Sequence, residues 1–173
     1  MGPTCFDVLD RHVIGGHADR LALRVPGRDW TCAQLLEEVA AFGGVLRHCG
    51  VSAGDRVALV LPPSLEAVVA VLASARIGAT HVLGGGSGTV LVTASTEPAA
   101  LAGTDAEVVL VKQVPGQEAE LRDGRDYDWD VVMRAGRTDP AGCAEGATVT
   151  PYDDQTRAWL EPLLAGETLD LRA

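Results

Sequence analysis

Apolar residues in the first fifty positions follow a strand pattern and then a helix pattern. In "LALRVPGRDW" apolar and polar residues alternate around Pro26 and Gly27, which predicts two short strands joined by a turn. From Cys32 to Gly50 apolar residues recur at helical spacing, and Thr31 is placed to cap that helix. This part of the chain is therefore expected to form a hairpin followed by an amphipathic helix.

The middle of the chain predicts a central sheet. "DRVALVLP" is an almost continuous apolar run, which is typical of a strand covered on both faces. The segment "LEAVVAVLASARIG" follows Ser64 and is apolar nearly all round, so we expect a buried helix there. "THVLG", "TVLVTAS" and "EVVLVK" then predict three more strands. The alternation of strands and helices indicates an α/β fold with a doubly wound, mostly parallel sheet.

After Lys112 the apolar pattern weakens. A polar loop precedes a helix expected from about Asp128 to Ala135, and an irregular linker follows it. "DQTRAWLEPLLAG" predicts a terminal amphipathic helix. We therefore divide the chain into an α/β domain, residues 1–138, and a linker with a C-terminal amphipathic helix, residues 139–173.

Composition and charge narrow the functional classes. The 173 residues are 47% apolar, which is enough for one buried core. No apolar run approaches the roughly 18 residues of a membrane span, and the N-terminus lacks a secretory pattern, so we expect a soluble cytoplasmic protein. The net charge is −10, and residues 96–173 account for −9 of it. This acidity argues against binding nucleic acid or an anionic membrane surface.

The cysteines and the acidic run suggest no metal site. Cys5, Cys32, Cys49 and Cys143 are widely spaced without a CxxC pair, so we expect reduced, mostly structural thiols. A nucleophile built from Cys32 or Cys49 with His48 would need these groups to meet in space, and we do not favour it. The run "DGRDYDWD" is of the kind that is normally solvated. We predict no metal ion and no cofactor.

A glycine-rich loop, "GGGSG" at residues 84–88, separates two of the predicted strands. It matches neither the GxxxxGK[ST] nor the GxGxxG pattern, and no helix follows it to meet a phosphate. The loop is either a phosphate cradle or a flexible connection left by a deletion, and we favour the connection.

Two segments resemble the N-terminal region of AMP-forming acyl-CoA synthetases, closest to the acetyl- and propionyl-CoA synthetase branch. The first contains five matching elements: Trp30 with Thr31, Gly50 to Val57, Leu61 with Pro62, Glu66 to His81, and Gly85 to Ser87. The second contains four: Val108 to Lys112, Gly124 to Asp126, Trp129 and Val132. The resemblance covers roughly residues 20–140 and implies common ancestry.

The chain departs from this family where the resemblance would place the chemistry. The family holds ATP phosphates in a loop just after the segment that matches Pro140 to Pro151, and these 173 residues contain no "TSGTTG.PKG". In the family a helix with arginines for coenzyme A follows the glycine loop, whereas here Gly88 leads directly into the next strand. We therefore expect no adenylation by this chain alone, and coenzyme A binding is in doubt.

Candidate functional residues follow from the strand ends and from the resemblance. His81 matches a family position beside the glycine loop and could act near neutral pH with Glu66 as an acid–base pair. Ligands of open α/β sheets bind at the carboxyl ends of strands. The candidate ligand-binding residues there are Ser64, Gly84, Gly85, Gly86, Ser87, Thr93 and Ser95. The structural alternatives are a hydrogen-bonded histidine, a helix cap at Ser64 and a surface carboxylate at Glu66.

The short connection at residues 84–88 also bears on assembly. Neighbouring parallel strands need a crossover of about a dozen residues. The two strands are therefore expected to pair antiparallel, to form one long bent strand or to separate between subunits. We expect a homodimer, with or without exchange of a strand, that also covers apolar surface left exposed by the missing parts of the fold.

Three functions remain open after this reasoning. The first is a degenerate acyl-CoA synthetase fragment that binds a small acyl or carboxylate-containing molecule, or an acyl-carrier partner, in bacterial specialised metabolism. The second is a new small enzyme that uses His81 and Glu66. The third is a subunit that complements a separately encoded partner carrying the ATP loop.

Overall fold

Two sheets and four α-helices, preceded by two π-helical segments, make up the fold in a computed structural model that describes residues 1–172. The strands are β1 (Leu21–Val25), β2 (Arg28–Thr31), β3 (Arg56–Val60), β4 (Thr80–Leu83), β5 (Val90–Thr93), β6 (Val108–Val111), β7 (Asp126–Asp128) and β8 (Leu169–Asp170). The α-helices are α1 (Cys32–His48), α2 (Leu65–Arg76), α3 (Trp129–Gly136) and α4 (Asp154–Ala165). The π-helical segments are Phe6–Asp10 and Val13–His17.

The larger sheet has the strand order β4, β3, β5, β6, β7, and every neighbouring pair is parallel. β4 lies on one side of β3 and all later strands lie on the other, so the chain reverses its direction across the sheet after β4 and the switch point lies between β3 and β5. This switch in strand order is the mark of a doubly wound sheet. The predicted α/β fold class is confirmed.

The connection from β4 to β5 differs from all three arrangements that its length suggested. Both strands run parallel to β3 and flank it: Val57 is level with His81 on one side and with Val90 on the other. The crossover argument assumed that β4 and β5 were neighbours, and β3 lies between them. The path from the end of β4 to the start of β5 crosses two strand spacings and runs back the length of one short strand, a diagonal of roughly 14 Å. Six residues can span this distance. Residues 84–89 therefore return along β3 to the start of β5.

Helices cover one face of the sheet, which we call the helix face. Gln34 and Thr31 form a reciprocal capping box at the start of α1, and the predicted cap at Thr31 is confirmed. All but the first two residues of α2 are buried, and α1 packs against both α2 and α3. Phe42 of α1 stacks on Trp129 of α3 with ring centroids 4.3 Å apart. The main hydrophobic core lies between these helices and the sheet.

Loops cover the opposite face, which we call the loop face. Its buried core is a small separate cluster: Ala58, Leu91, Ala106, Val109 and Val111. Partly buried residues of the connecting loops, Leu101, Ala119 and Leu121, pack against that cluster. The crossovers from β4 to β5, from β5 to β6 and from β6 to β7 contain no helix within the described residues.

The smaller sheet joins the two ends of the chain. β1 pairs antiparallel with β2, which confirms the predicted hairpin, and it pairs parallel with β8. Asp153 caps α4, which packs against the N-terminal π-helical segment and confirms the predicted terminal helix. The division at residue 138 stays a prediction, although residues 139–172 share the main core through Val149, Trp159 and Leu160. Across residues 1–172 no helix combines the length and apolarity that crossing a membrane requires.

Candidate functional site

The glycine-rich loop lies against the backbone of β3. The N–H groups of Gly84 and Gly85 donate to the carbonyl of Leu59 at 2.9 and 3.1 Å, and the N–H of Thr89 donates to the carbonyl of Arg56 at 2.8 Å. A Cβ atom at Gly88 would lie 2.8 Å from the Arg56 carbonyl oxygen, which is closer than such atoms approach. Glycine at position 88 therefore permits the loop to cross β3 at this distance.

A carboxylate of the same chain binds the polar groups of this loop. Asp105 accepts hydrogen bonds from the Ser87 hydroxyl at 2.7 Å and from the Gly88 N–H at 2.9 Å. The Ser87 hydrogen bond, followed by that of Gly88, lowers the pKa of the Asp105 carboxyl. Loop donors of this kind are the ones a phosphate would use. Here the anion they hold is supplied by the protein itself.

The other candidate ligand-binding residues make local hydrogen bonds. The Ser64 hydroxyl accepts from the Ala67 N–H at 3.2 Å and so caps α2. Thr93, which is fully buried, donates its hydroxyl to the Ser95 carbonyl at 2.9 Å and accepts the Ser95 N–H at 3.1 Å. The Ser95 hydroxyl accepts from the Glu97 N–H at 3.1 Å. These side chains shape the ends of their strands.

The candidate residues do not converge on one crevice. Ser95 lines a groove of about 850 Å³ beside the loop at residues 117–122. Ser87 lines a different cavity of about 450 Å³, together with Arg56 and Asp105 at the amino ends of the strands. The crossing loop separates the two sets because it leaves the carboxyl end of β4 and returns to the amino end of β5.

Glu66 belongs to a charged cluster at the carboxyl edge of the sheet. Lys112 lies with its Nζ 3.5 Å from a Glu66 carboxylate oxygen and 2.9 Å from one of Asp130. Partial burial lowers the pKa of Lys112, but the hydrogen bond to Asp130 and the charge of Glu66 outweigh it, so the pKa is raised. Glu66 is thus already paired with the one lysine of the chain.

His81 lies in the core on β4 and faces α4. Its Nε2 is 2.9 Å from the Thr156 hydroxyl, both residues are fully buried, and its Nδ1 has no hydrogen-bond partner within the described residues. Burial lowers the pKa of His81 to about 4, against the opposing effect of the Asp153 charge. The imidazole is therefore neutral at physiological pH, and its partners differ from those of Glu66.

A cavity that the sequence analysis did not anticipate lies on the outer side of α1. It has a volume of about 640 Å³ and lies between the N-terminal π-helical segments, α1 and the stretch 137–142. Its walls are mainly apolar side chains: Val13, Ala33, Leu36, Ala40, Pro140 and Ala141. The charged residues that line it are Arg76, Arg137 and Glu37.

The two arginines of this cavity differ in how fully their guanidinium groups are hydrogen-bonded within the protein. Arg76 is buried, donates to both carboxylate oxygens of Asp10 at 3.0 and 2.9 Å, and donates through Nε to the Ala141 carbonyl at 2.7 Å. Arg137 is 49% exposed and donates through Nη2 to Glu38 at 2.7 Å. Arg137 is therefore the arginine with donors left for a ligand. No local motif marks this cavity, because α1 and residues 137–142 are about a hundred positions apart.

The parallel sheet, with its change of strand order between β3 and β5, defines an open-sheet α/β protein. In this class of protein, ligands bind at the carboxyl ends of the strands. Sequence comparison then specifies the family. The family described as "AMP-binding enzyme" matches residues 10–156, and this chain belongs to it.

Individual relatives are acetyl-coenzyme A synthetases of bacteria. The chain is 38% identical to that of Streptomyces avermitilis over 162 residues, which covers 75% of this chain and 25% of the relative. It is 33% identical to that of Mycobacterium tuberculosis strain H37Rv over 188 residues, which covers 88% of this chain and 28% of the relative. The chain spans about a quarter of the length of these relatives.

The longer alignment also shows that this chain is shortened internally. Because 88% of 173 residues is about 152, an aligned stretch of 188 positions leaves about 36 positions of the relative without a counterpart here.

Proposed function

We propose that this α/β unit does not adenylate carboxylic acids by itself and instead binds a small acyl or carboxylate-containing molecule. The observation that carries the proposal is the cavity of about 640 Å³ beside α1, with apolar walls and Arg137 at hand. Its volume is within the range of small-molecule sites. The acyl chain would lie on the apolar walls, and the Arg137 guanidinium would bind the carboxylate in competition with Glu38.

The glycine loop supports the non-adenylating part of this proposal. Its Ser87 and Gly88 donors hold Asp105. A triphosphate would meet the Asp105 carboxylate in the place where it needs donors. A cytoplasmic location and a setting in bacterial specialised metabolism are further parts of the proposal. Cell fractionation tests the location, and the neighbourhood of the gene tests the metabolic setting.

Calorimetric titration with straight-chain carboxylates from acetate to octanoate tests the binding. Affinity should rise about fourfold per methylene until the cavity is full, because each buried methylene contributes about 0.8 kcal/mol. Arg137→Gln should weaken binding about tenfold. Arg134→Gln, on the exposed surface of α3 and outside the cavity, is the control and should bind normally. Absence of binding, or equal weakening by both variants, would contradict the proposal.

Exchange of pyrophosphate into ATP tests whether the chain adenylates carboxylic acids. The isolated chain should show no exchange with any of these acids, and a clear signal would overturn the non-adenylating assignment. If an activity is found and His81→Ala abolishes it while the protein stays folded, the alternative of a small enzyme gains support.

A second candidate function is complementation of another polypeptide. The chain spans about a quarter of its synthetase relatives, so a separate chain could supply the ATP-binding part. Pyrophosphate exchange that needs both chains would support this, whereas failure of the two to co-purify would count against it.

Homodimerisation is also part of the proposal. Two exposed large apolar side chains support it, Tyr127 on the edge strand β7 and Val131 on α3. The exchange of a strand between protomers loses its original support, since β4 and β5 both pair with β3 of the same chain. Light scattering after gel filtration measures the mass, and Val131→Glu should shift it to the monomer.

A further inference from the structure

Two thiols and a carboxylate meet where the N-terminal π-helical segment packs against the stretch 137–150. The sulfurs of Cys5 and Cys143 and an oxygen of Asp10 all lie within 4.8 Å of one another. Cys5 is fully buried, whereas Cys143 is half-buried. Because the two cysteines are 138 positions apart along the chain, their spacing does not indicate this contact.

A buried arginine forms the fourth side of this cluster. Arg76 Nη1 donates to both oxygens of Asp10 and lies 3.9 Å from the Cys5 sulfur. A divalent cation bound by these three side chains would face this guanidinium, and it would compete with Arg76 for the Asp10 carboxylate. A nearby guanidinium stabilises a thiolate instead. The charges around the cluster thus favour thiol chemistry over metal binding.

The two sulfurs have different roles available to them. The hydrogen bond with Cys5 lowers the pKa of Cys143 to about 7, assisted by the charge of Arg76 and a backbone hydrogen bond of Phe6, and opposed by burial and by the charge of Asp10. The same hydrogen bond, with burial, raises the pKa of Cys5. Cys143, unlike Cys5, also lines a cavity, of about 630 Å³, that it shares with Arg47 and Arg76.

We propose that Cys143 and Cys5 are a peroxide-responsive thiol pair that forms a reversible disulfide. The Cys143 thiolate attacks one oxygen of a hydroperoxide and breaks the O–O bond, which gives Cys143 sulfenic acid and, after protonation, water or an alcohol. The Cys5 thiol then attacks the sulfenic sulfur, forms the S–S bond and releases water. The two sulfurs together lose two electrons, and the peroxide gains them.

The disulfide would tie the N-terminal π-helical segment to the stretch 137–150. Side-chain rotation has to bring the sulfurs from their present separation to about 2.05 Å. Because the closed loop is long, the cross-link removes much freedom from the unfolded chain. We expect oxidation to raise the melting temperature by an amount on the order of 10 °C, and a dithiol reductant to reverse this rise.

The test uses the reduced 173-residue chain treated with one equivalent of hydrogen peroxide. Peptide mapping without reduction should find Cys5 joined to Cys143 and the other two thiols free. Cys143→Ser should abolish the cross-link, whereas Cys5→Ser should leave a sulfenic acid at Cys143 that dimedone traps. The double variant Cys32→Ser, Cys49→Ser is the control and should form the cross-link like the parent.

A rate measurement on the unmodified chain keeps the proposal testable if a variant fails to fold. At pH 7 iodoacetamide should alkylate Cys143 at least about fivefold faster than Cys49, because burial raises the pKa of Cys49 and leaves less of it as thiolate. The larger thiolate fraction of Cys143 outweighs the lower nucleophilicity of its less basic thiolate. Equal rates together with no cross-link would overturn the proposal. Stoichiometric zinc binding by the reduced chain that blocks alkylation of Cys143 and prevents the cross-link would replace it with a metal site.

Discussion

The two faces of the five-stranded sheet are built in different ways from the same strands. On the helix face, α1, α2 and α3 enclose a large continuous core. On the loop face, five buried residues suffice, and the crossing loops are held by polar contacts such as those of Asp105 with Ser87 and Gly88. The parallel sheet needs cover on both faces, but a crossover can supply it without a helix when its backbone lies directly on the strands.

A matched pair of leucines tests this difference most strongly. Leu59 on β3 points to the helix face and Leu91 on the neighbouring β5 points to the loop face, and both are buried. Leu59→Ala should lower the free energy of unfolding by about 4–5 kcal/mol, because helices leave a cavity that cannot collapse. Leu91→Ala should cost about 2–3 kcal/mol, because loops relax into the space.

Urea unfolding followed by circular dichroism gives both values. Equal losses, or a larger loss for Leu91→Ala, would show that the loop face is packed as rigidly as the helix face.

Acid should lower the free energy of unfolding because it protonates His81, which is buried on β4. Its pKa is about 4 in the folded protein against 6.5 ordinarily, so the unfolded chain binds this proton more tightly. The contribution is fully present above pH 6.5 and is lost as pH falls towards 4, by about 3 kcal/mol in all. His81→Gln should flatten this part of the stability profile.

The exposed His17→Gln variant provides the control and should keep the parent's pH dependence. Unfolding midpoints measured between pH 4 and 7.5 decide the matter. Parallel profiles for His81→Gln and the parent would mean that other groups cause the acid sensitivity.

A methyl group at Gly88 should lift the loop from β3. Its Cβ would lie 2.8 Å from the Arg56 carbonyl oxygen and 3.1 Å from the Ala58 nitrogen, and neither backbone atom can move freely. Gly88→Ala should therefore cost about 1–3 kcal/mol, as overpacking does elsewhere. Thermal unfolding measures this cost.

Gly15→Ala is the matched substitution, because nothing lies within 4 Å of a Cβ at that position. Its effect should be small. If Gly88→Ala were equally harmless, the close crossing of β3 would be wrong.

Sequence reasoning succeeded where a local pattern determines the element. The caps at Thr31 and Ser64, the periodicity of α1 and α2 and the apolar strand β3 all depend on neighbouring residues. The three-residue β7 and two-residue β8 are too short to leave a pattern, and the N-terminal π-helical segments were missed although Cys5, Val8 and Leu9 have helical spacing.

The site was harder to predict because its contacts are distant in sequence. The placement of β3 between β4 and β5 is a matter of strand order, which no residue of the connecting loop encodes. Asp105 lies seventeen residues beyond Gly88, and nothing in its surroundings marks it as the partner of the glycine loop. The buried pair of Arg76 and Asp10 joins positions 66 apart.

The central claim is that the glycine loop holds Asp105 and no external phosphate. Heteronuclear NMR tests it directly. The chemical shifts of the backbone amides from Gly84 to Thr89 are followed during titration with Mg²⁺ and ATP. We predict no saturable shift of these signals in the parent chain up to millimolar nucleotide. Saturable shifts centred on Ser87 and Gly88 would show that the loop binds phosphate after all and would contradict the account.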